Sequence, residues 1–235
     1  MELAGFWSST TRVPEPVSVE TPALVRSFEA MARFHSFLDR AFVRRVQLVC
    51  SPVGRLLDVG TGPGLVPILL KQRMPQLEVM GLDLSEEMIR RARENAQSAG
   101  LHRGIDFIVG DARHLPFQAG AFDSVVSFHA LHHIPEPEQA LREFRRVTRR
   151  SGSVYVSDLR RPEHQLSMLL LQRGVAQMYL LVHPGPDQAI EQYRQSLQAA
   201  YDRAEWRALF QGTSGDGQDW CSSGPVNHEM CFRVR

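Results

Sequence analysis

Apolar positions along this chain follow two different periods, and the change from one to the other divides it. Leu24, Phe28, Met31, Phe34/His35, Leu38, Phe42 and Val46 recur every three to four residues, which traces one face of a helix. Thr21 before Pro22 supplies a capping hydroxyl and a proline at the first helical position. One or two helices are therefore expected ahead of the main sheet. The twenty residues before them, with Pro14 and Pro16 and no period, read as an extended lead-in that orders only by docking on something else.

Between residues 55 and 159 short apolar runs alternate with amphipathic segments, the pattern of βαβ units around a parallel sheet. Strands are predicted at 55–59, 77–82, 105–109, 124–128 and 153–158, and helices at 65–73, 86–99 and 136–149. Ser85 ahead of Glu86 and Glu87 places a cap and two acids at the positive end of the second of these helices, and Gly100 closes it. Two more helical stretches follow at 163–182 and 187–210, separated by His183-Pro184-Gly185-Pro186. Residues 211–235 suit two short strands, around Trp220-Cys221 and Met230-Cys231-Phe232, joined by a loop containing Gly224-Pro225. The expected organisation is an N-terminal extension with lid helices over 1–50 and a main domain over 51–235, into which a helical substrate-side insertion at 163–210 is set.

Composition narrows the class. The 235 residues are 43% hydrophobic and 23% charged, as in globular proteins, and 27 basic against 26 acidic residues leave a formal charge of +1. That balance argues against a nucleic-acid partner, which the strongly basic binders of polyanions would require. Arg142, Arg145, Arg146, Arg149 and Arg150 share their segment with Glu136, Glu138 and Glu143, so they read as a solvated face rather than an RNA stripe. Cys50, Cys221 and Cys231 are too few and too scattered for a disulfide framework, and no CxxC spacing offers a cysteine zinc site. With no basic start and apolar run at residues 1–10, a cytoplasmic location is expected. The most apolar stretch, 166–182, is interrupted by Gln172, Arg173 and Gln177 and falls short of the ~20 residues of a membrane span.

The candidate chemistry sits at strand ends. Asp58-Val59-Gly60-Thr61-Gly62-Pro63-Gly64 carries a strand directly into a glycine-rich turn that opens a helix, where backbone can approach a ligand closely. Its GxGxG spacing has Leu65 where a dinucleotide fingerprint needs glycine, and no Gly-Lys-Ser/Thr follows for a phosphate loop. Asp58 in the turn would repel a pyrophosphate and welcome a cation. Asp83 ends the second strand, where an acid takes both hydroxyls of a ribose, and Gly110-Asp111-Ala112 follows the third, where a carboxylate accepts from an exocyclic amine. Together they outline an adenosine-shaped site with a cation-tolerant end.

DVGTGPG, GLDLS, IVGDARHLPF and FDSVVSFHALHHIPEPEQALREFRRV, in this order across residues 54–161, resemble the successive motifs of the Rossmann-like (class I) S-adenosylmethionine-dependent methyltransferases. The resemblance implies an α/β fold: a doubly wound, seven-stranded, mostly parallel sheet with an antiparallel last strand and an N-terminal helical lid. It implies S-adenosylmethionine as cofactor, its methionine part against Asp58, Gly60, Thr61, Gly62 and Gly64. Asp83 then takes the ribose, Leu84 and Met88 flank the adenine, and Asp111 and Ala112 read its edge. Ser127, Phe128 and His129 supply backbone near the cofactor's amine. Arg150-Ser151-Gly152 departs from the family's usual Pro-Gly-Gly turn, away from the cofactor.

Three histidines remain open to several readings. His129, His132 and His133 can face the substrate as base or orienter, form a shelf for the cofactor, or use their i, i+3, i+4 spacing for a metal, for which no carboxylate of matching spacing is in view. The candidates taken forward are His129 and His133 as catalytic, and Phe34, His35, His132 and Arg160 as substrate-facing, with no metal. Arg160 or Arg161 can equally serve a surface ion pair. The expected activity is methyl transfer to a small hydrophobic or aromatic acceptor by in-line displacement. A non-catalytic cofactor-binding protein and a nicotinamide-dependent oxidoreductase are the alternatives, and oligomeric state is not legible.

Overall fold

The computed structural model describes residues 10–15, 21–182, 188–213 and 219–234. Seven strands form one sheet in the order β3-β2-β1-β4-β5-β7-β6. They are β1 (Gly54–Val59), β2 (Leu77–Asp83), β3 (Ile105–Val109), β4 (Phe122–Phe128), β5 (Thr148–Leu159), β6 (Trp220–Ser223) and β7 (Asn227–Arg233). The first five run parallel, and β7 alone is reversed, pairing antiparallel with both β5 and β6. The fold class read from the sequence is the one observed, with helices α1 (Pro22–Phe34) and α2 (Ser36–Val49) preceding the sheet.

Each face of the sheet carries its own core, because central strands of a parallel sheet are covered on both sides. On one face α2, α3 (Leu65–Arg73) and α4 (Glu86–Ser98) bury Phe42, Val46, Leu70 and Ile89 against Leu56, Val79 and Tyr155. On the other, α5 (Pro137–Val147) and α8 (Arg203–Thr213) bury Leu141, Phe144, Trp206 and Leu209 against Leu57, Val125, Val154 and Phe232. Helix starts follow their signals: the Thr21 hydroxyl accepts from the Leu24 amide at 3.2 Å and the Ser85 hydroxyl from the Met88 amide at 3.1 Å.

Most boundaries shift by one to three residues, and two departures from expectation have a clear local cause. Helix α5 stops at Val147 rather than 149, because Thr148 already pairs with Phe122 and β5 begins there, with a bulge before Ser153. The stretch expected as one helix over 187–210 is two, α7 (Gln188–Ala199) and α8, after α6 (Gln165–Val182). Asp202 Oδ1 caps α8 by accepting from the amides of Ala204 and Glu205, and Glu205 Oε2 accepts from the Asp202 amide in return. That reciprocal capping box starts a new helix where the apolar period alone runs on. The expected break at His183–Pro186 lies outside the described residues.

Arg161 fills the corner made by this break. Its buried guanidinium donates to Ala200 O, to the carbonyl and hydroxyl of Thr10, and to Asp202 and Glu205. Thr10 to Glu15 thereby lie across α7, with Arg12 over the Tyr201 ring at 4.4 Å and donating to Ala199 O. Residues 10–15 of the lead-in are held by docking on these elements.

Candidate active site

Strand order decides where the site is. Strands β1 and β4 are neighbours while the chain passes from β1 outward to β2 and β3, so a crevice opens at their carboxyl ends. A cavity of about 1360 Å³ occupies it. Its floor is the glycine turn, which β2 holds: the Gly60 and Thr61 amides donate to Leu82 O at 2.8 and 3.0 Å. Gly60 has φ +74°, and a side-chain carbon there would stand 2.2 Å from Ala130 Cβ, so glycine is required twice over.

Asp83 organises this floor. One of its oxygens accepts from the Gly62 amide at 2.8 Å and the other from the Ser85 amide at 3.0 Å, joining the turn to the start of α4. Asp58 lies beneath, buried, accepting from the Thr61 hydroxyl at 2.7 Å. Burial, with Asp83 and Asp39 nearby, pushes its carboxyl up to about 7. Burial raises Asp83 above its usual range as well, against the amides it accepts from. Asp39 of α2, which the sequence reading did not pick out, also lines the cavity, and burial pushes it up to about 7. Three carboxyls whose ionisation burial disfavours, two of them raised to about 7, stand around one space and form a site that a cation stabilises.

Most residues singled out from the sequence line this cavity. Gly60, Thr61, Gly62, Leu84, Met88, Asp111, Ala112, Phe128, His35 and all three histidines of the motif do so with Asp58 and Asp83. Asp111 is clamped by the Arg113 guanidinium at 2.8 Å, which keeps its carboxyl below the usual range. Four do not. Gly64, at φ +77°, caps α3 where a side-chain carbon would meet Ala92 Cβ at 2.9 Å, so it serves packing. Ser127 is fully buried and spends its hydroxyl on Val59 O. Phe34 packs edge-on against Tyr179 and His35 behind the cavity wall. Arg160 bonds to Gly224 O and Glu163, and Arg161 to the lead-in, so neither reaches the cavity. On the outer face, Arg146 pairs with Glu143, Arg149 with Asp123, and Arg145 donates to Thr213 O.

The histidines differ sharply from one another. His129, at φ +51°, stacks on Phe128 and shares a 3.2 Å hydrogen bond with Asn227, and burial drives it down to about 4, so it is neutral near pH 7. His132 is 2% exposed and its Nδ1 lies 2.6 Å from Asp158 Oδ1. His133 Nδ1 lies 2.6 Å from Glu15 of the lead-in. Asp158 and Glu15 are the carboxylates that spacing along the motif could not supply.

Beyond the histidines the cavity turns apolar. Leu24, Phe28 and Met31 of α1, and Leu171, Val175 and Met178 of α6 face it. Its volume exceeds the roughly 300–1,000 Å³ of ordinary ligand pockets, so there is room for a nucleoside-sized cation and a second molecule. The residues present fit an adenosine-bearing sulfonium: a glycine turn, an acid at each of three successive strand ends, and, among the described residues, no basic side chain at the turn where a phosphate would sit.

Comparison with known proteins agrees. Residues 57–156 match a family model described as a methyltransferase domain. The demethylmenaquinone methyltransferase of Deinococcus radiodurans is 31% identical over 181 residues, 68% of this chain and 73% of that one. The protein of the same name from Thermotoga maritima is 32% identical over 142 residues, 59% of each chain. A solved S-adenosylmethionine-dependent methyltransferase from Aquifex aeolicus shares the fold, with a TM-score of 0.65 at 17% identity, over 92% of this chain and all of that one. The chain belongs to the class I S-adenosylmethionine-dependent methyltransferases, and its cofactor is S-adenosylmethionine. It spans about half the length of several curated relatives that it matches. Family membership sets aside the nicotinamide alternative.

Proposed function

We propose that this protein transfers the methyl group of S-adenosylmethionine to a small hydrophobic or aromatic acceptor held between the glycine turn and helices α1 and α6. The observation that carries this reading is one continuous cavity, acidic and glycine-lined at one end and apolar at the other. Asp83 is the ribose ligand in this reading, Leu84 and Met88 flank the adenine, Asp111 and Ala112 meet its edge, and Asp58 and Asp39 face the positive end. When bound, the cofactor supplies a methyl group already made electrophilic by its sulfonium. What the chain must then do is align a nucleophile and exclude water. His129, neutral and fixed by Phe128 and Asn227, borders the reacting region without adding a repelling positive charge. Helices α1 and α2 with the lead-in form the lid, and α6 to α8 form the substrate-side insertion. Among the described residues no helix is long and apolar enough to cross a membrane, so the apolar surface of α6 is assigned to the acceptor.

The names of the relatives support a ring-bearing acceptor of the quinol type. The test is transfer of radiolabelled methyl to a panel of reduced naphthoquinones, phenols, small amines and bulk tRNA. Label in the apolar ring compounds is expected. Label confined to tRNA or to polar amines contradicts the proposal.

A further inference from the structure

Two residues that line the cavity each carry a buried acceptor atom with nothing to accept. His132 Nε2 and Glu15 Oε1 have no hydrogen-bond partner, although both residues line the cavity and His132 is almost wholly buried. Natural proteins seldom leave such groups unmatched unless a ligand uses them. Asp158 explains how the lone pair of His132 is aimed. Its Oδ1 takes His132 Nδ1 and the Leu159 amide, and its Oδ2 takes the His132 amide. The carboxylate therefore fixes the proton on Nδ1 and leaves Nε2 as an acceptor.

A third donor atom completes the cluster. One ligand atom each from Glu15, His132 and His133 lies within 4.8 Å of the others, and Glu15 already touches His133 Nδ1 at 2.6 Å. On a tetrahedral ion with bonds of about 2.1 Å, ligand atoms stand roughly 3.4 Å apart. The adjustment falls on His133, whose side chain is 34% exposed, and on the docked lead-in. Two imidazoles and one carboxylate form a borderline donor set that suits zinc, cobalt or ferrous iron rather than magnesium or calcium. A carboxylate behind the ligating imidazole, as Asp158 is behind His132, is the usual outer support of such a ligand.

We propose that Glu15, His132 and His133 bind a divalent transition-metal ion at the inner wall of the cavity, with Asp158 orienting His132 and at least one coordination position left open towards the acceptor. This goes beyond the methyl-transfer reading, which needs no metal, and it gives the lead-in a role in the site through Glu15.

The experiment uses the full chain, free of any tag and stripped with chelator. Co²⁺ is added while its visible d–d absorption is followed, Zn²⁺ is used to displace it, and S-adenosylhomocysteine binding is measured on the same preparations. One equivalent of Co²⁺ with a nitrogen-ligated spectrum, displaced by Zn²⁺, is expected. Glu15→Gln, on the docked lead-in, should weaken binding at least tenfold, and Asp158→Asn by about 10–100-fold. His132→Gln should abolish the spectrum. Wild-type protein that binds S-adenosylhomocysteine but takes up no stoichiometric Co²⁺ overturns the metal site and leaves the methyltransferase reading standing. Co²⁺ binding unchanged in both Glu15→Gln and His132→Gln places the metal elsewhere and also overturns it. Release of the Co²⁺ by saturating S-adenosylhomocysteine would give the cluster to the cofactor's own ammonium and would likewise overturn the metal site.

Discussion

Binding of the cofactor should be linked to proton release, because two of the carboxyls that greet its positive charge, Asp39 and Asp58, are raised into the neutral range without it. Burial holds Asp39 and Asp58 at about 7 and raises Asp83. Moving Asp58 from the ordinary 3.8 to about 7 disfavours its ionisation in the free protein by about 4 kcal/mol. A sulfonium placed against it restores the charged form, so S-adenosylmethionine prefers the deprotonated protein. Its affinity then falls as pH drops below 7, by about tenfold between pH 8 and pH 6 for each such carboxyl, and binding at pH 7 releases about half a proton from each. The thioether product lacks the charge at sulfur and should show a weaker dependence. The same raised carboxyls favour folding of the free protein below their unfolded pKa of about 4, and that contribution is lost as pH rises through about 7. Calorimetry in two buffers of different ionisation enthalpy, across pH 6–8, reads the proton count directly. Asp58→Asn should remove its share and leave the shallower slope due to Asp39. A flat affinity for the sulfonium form across this range, or an equal slope in Asp58→Asn, would refute the reasoning.

Two substitutions test the scaffold. Gly60→Ala drives a side-chain carbon into Ala130 Cβ and demands a left-handed residue, so it should abolish cofactor binding, and Ala130→Gly in the same chain should restore part of it; a Gly60→Ala protein that binds normally in a fluorescence titration contradicts the packing argument. Arg161→Met removes a buried guanidinium from five acceptors and should cost about 3 kcal/mol, a fall in Tm of roughly 6–12 °C by calorimetric scan; an unchanged Tm would show that the lead-in corner contributes nothing to stability.

What the sequence made legible was local. The strands, the caps at Thr21 and Ser85 and the glycine turn each rest on neighbours within a few positions, and the motif order placed the acids at successive strand ends. Direction was harder to read than position. Ser127 and Gly64 belong to the right motifs, but strand alternation turns Ser127 towards Val59 and packing against Ala92 claims Gly64. The break between α7 and α8 had a signal in Asp202 and Glu205, which the continuing apolar period concealed. Contacts between distant segments carried no sequence signal at all. Glu15 meets His133 and Asp158 meets His132 only because the lead-in docks on α7 and β5 lies beside β4. The three acids Asp39, Asp58 and Asp83 likewise converge only in the folded chain.

The most direct test of the central claim is calorimetric titration with S-adenosylhomocysteine of wild-type protein and of Asp83→Ala, with NAD as control ligand. Asp83 holds both the glycine turn and the start of α4, and in this account it also takes the ribose. Micromolar, one-to-one binding to wild type is predicted, lost in Asp83→Ala while circular dichroism still shows the folded sheet, with no heat from NAD. Undiminished binding to Asp83→Ala, or none to wild type, would contradict the assignment of the glycine-turn end of the cavity to the cofactor.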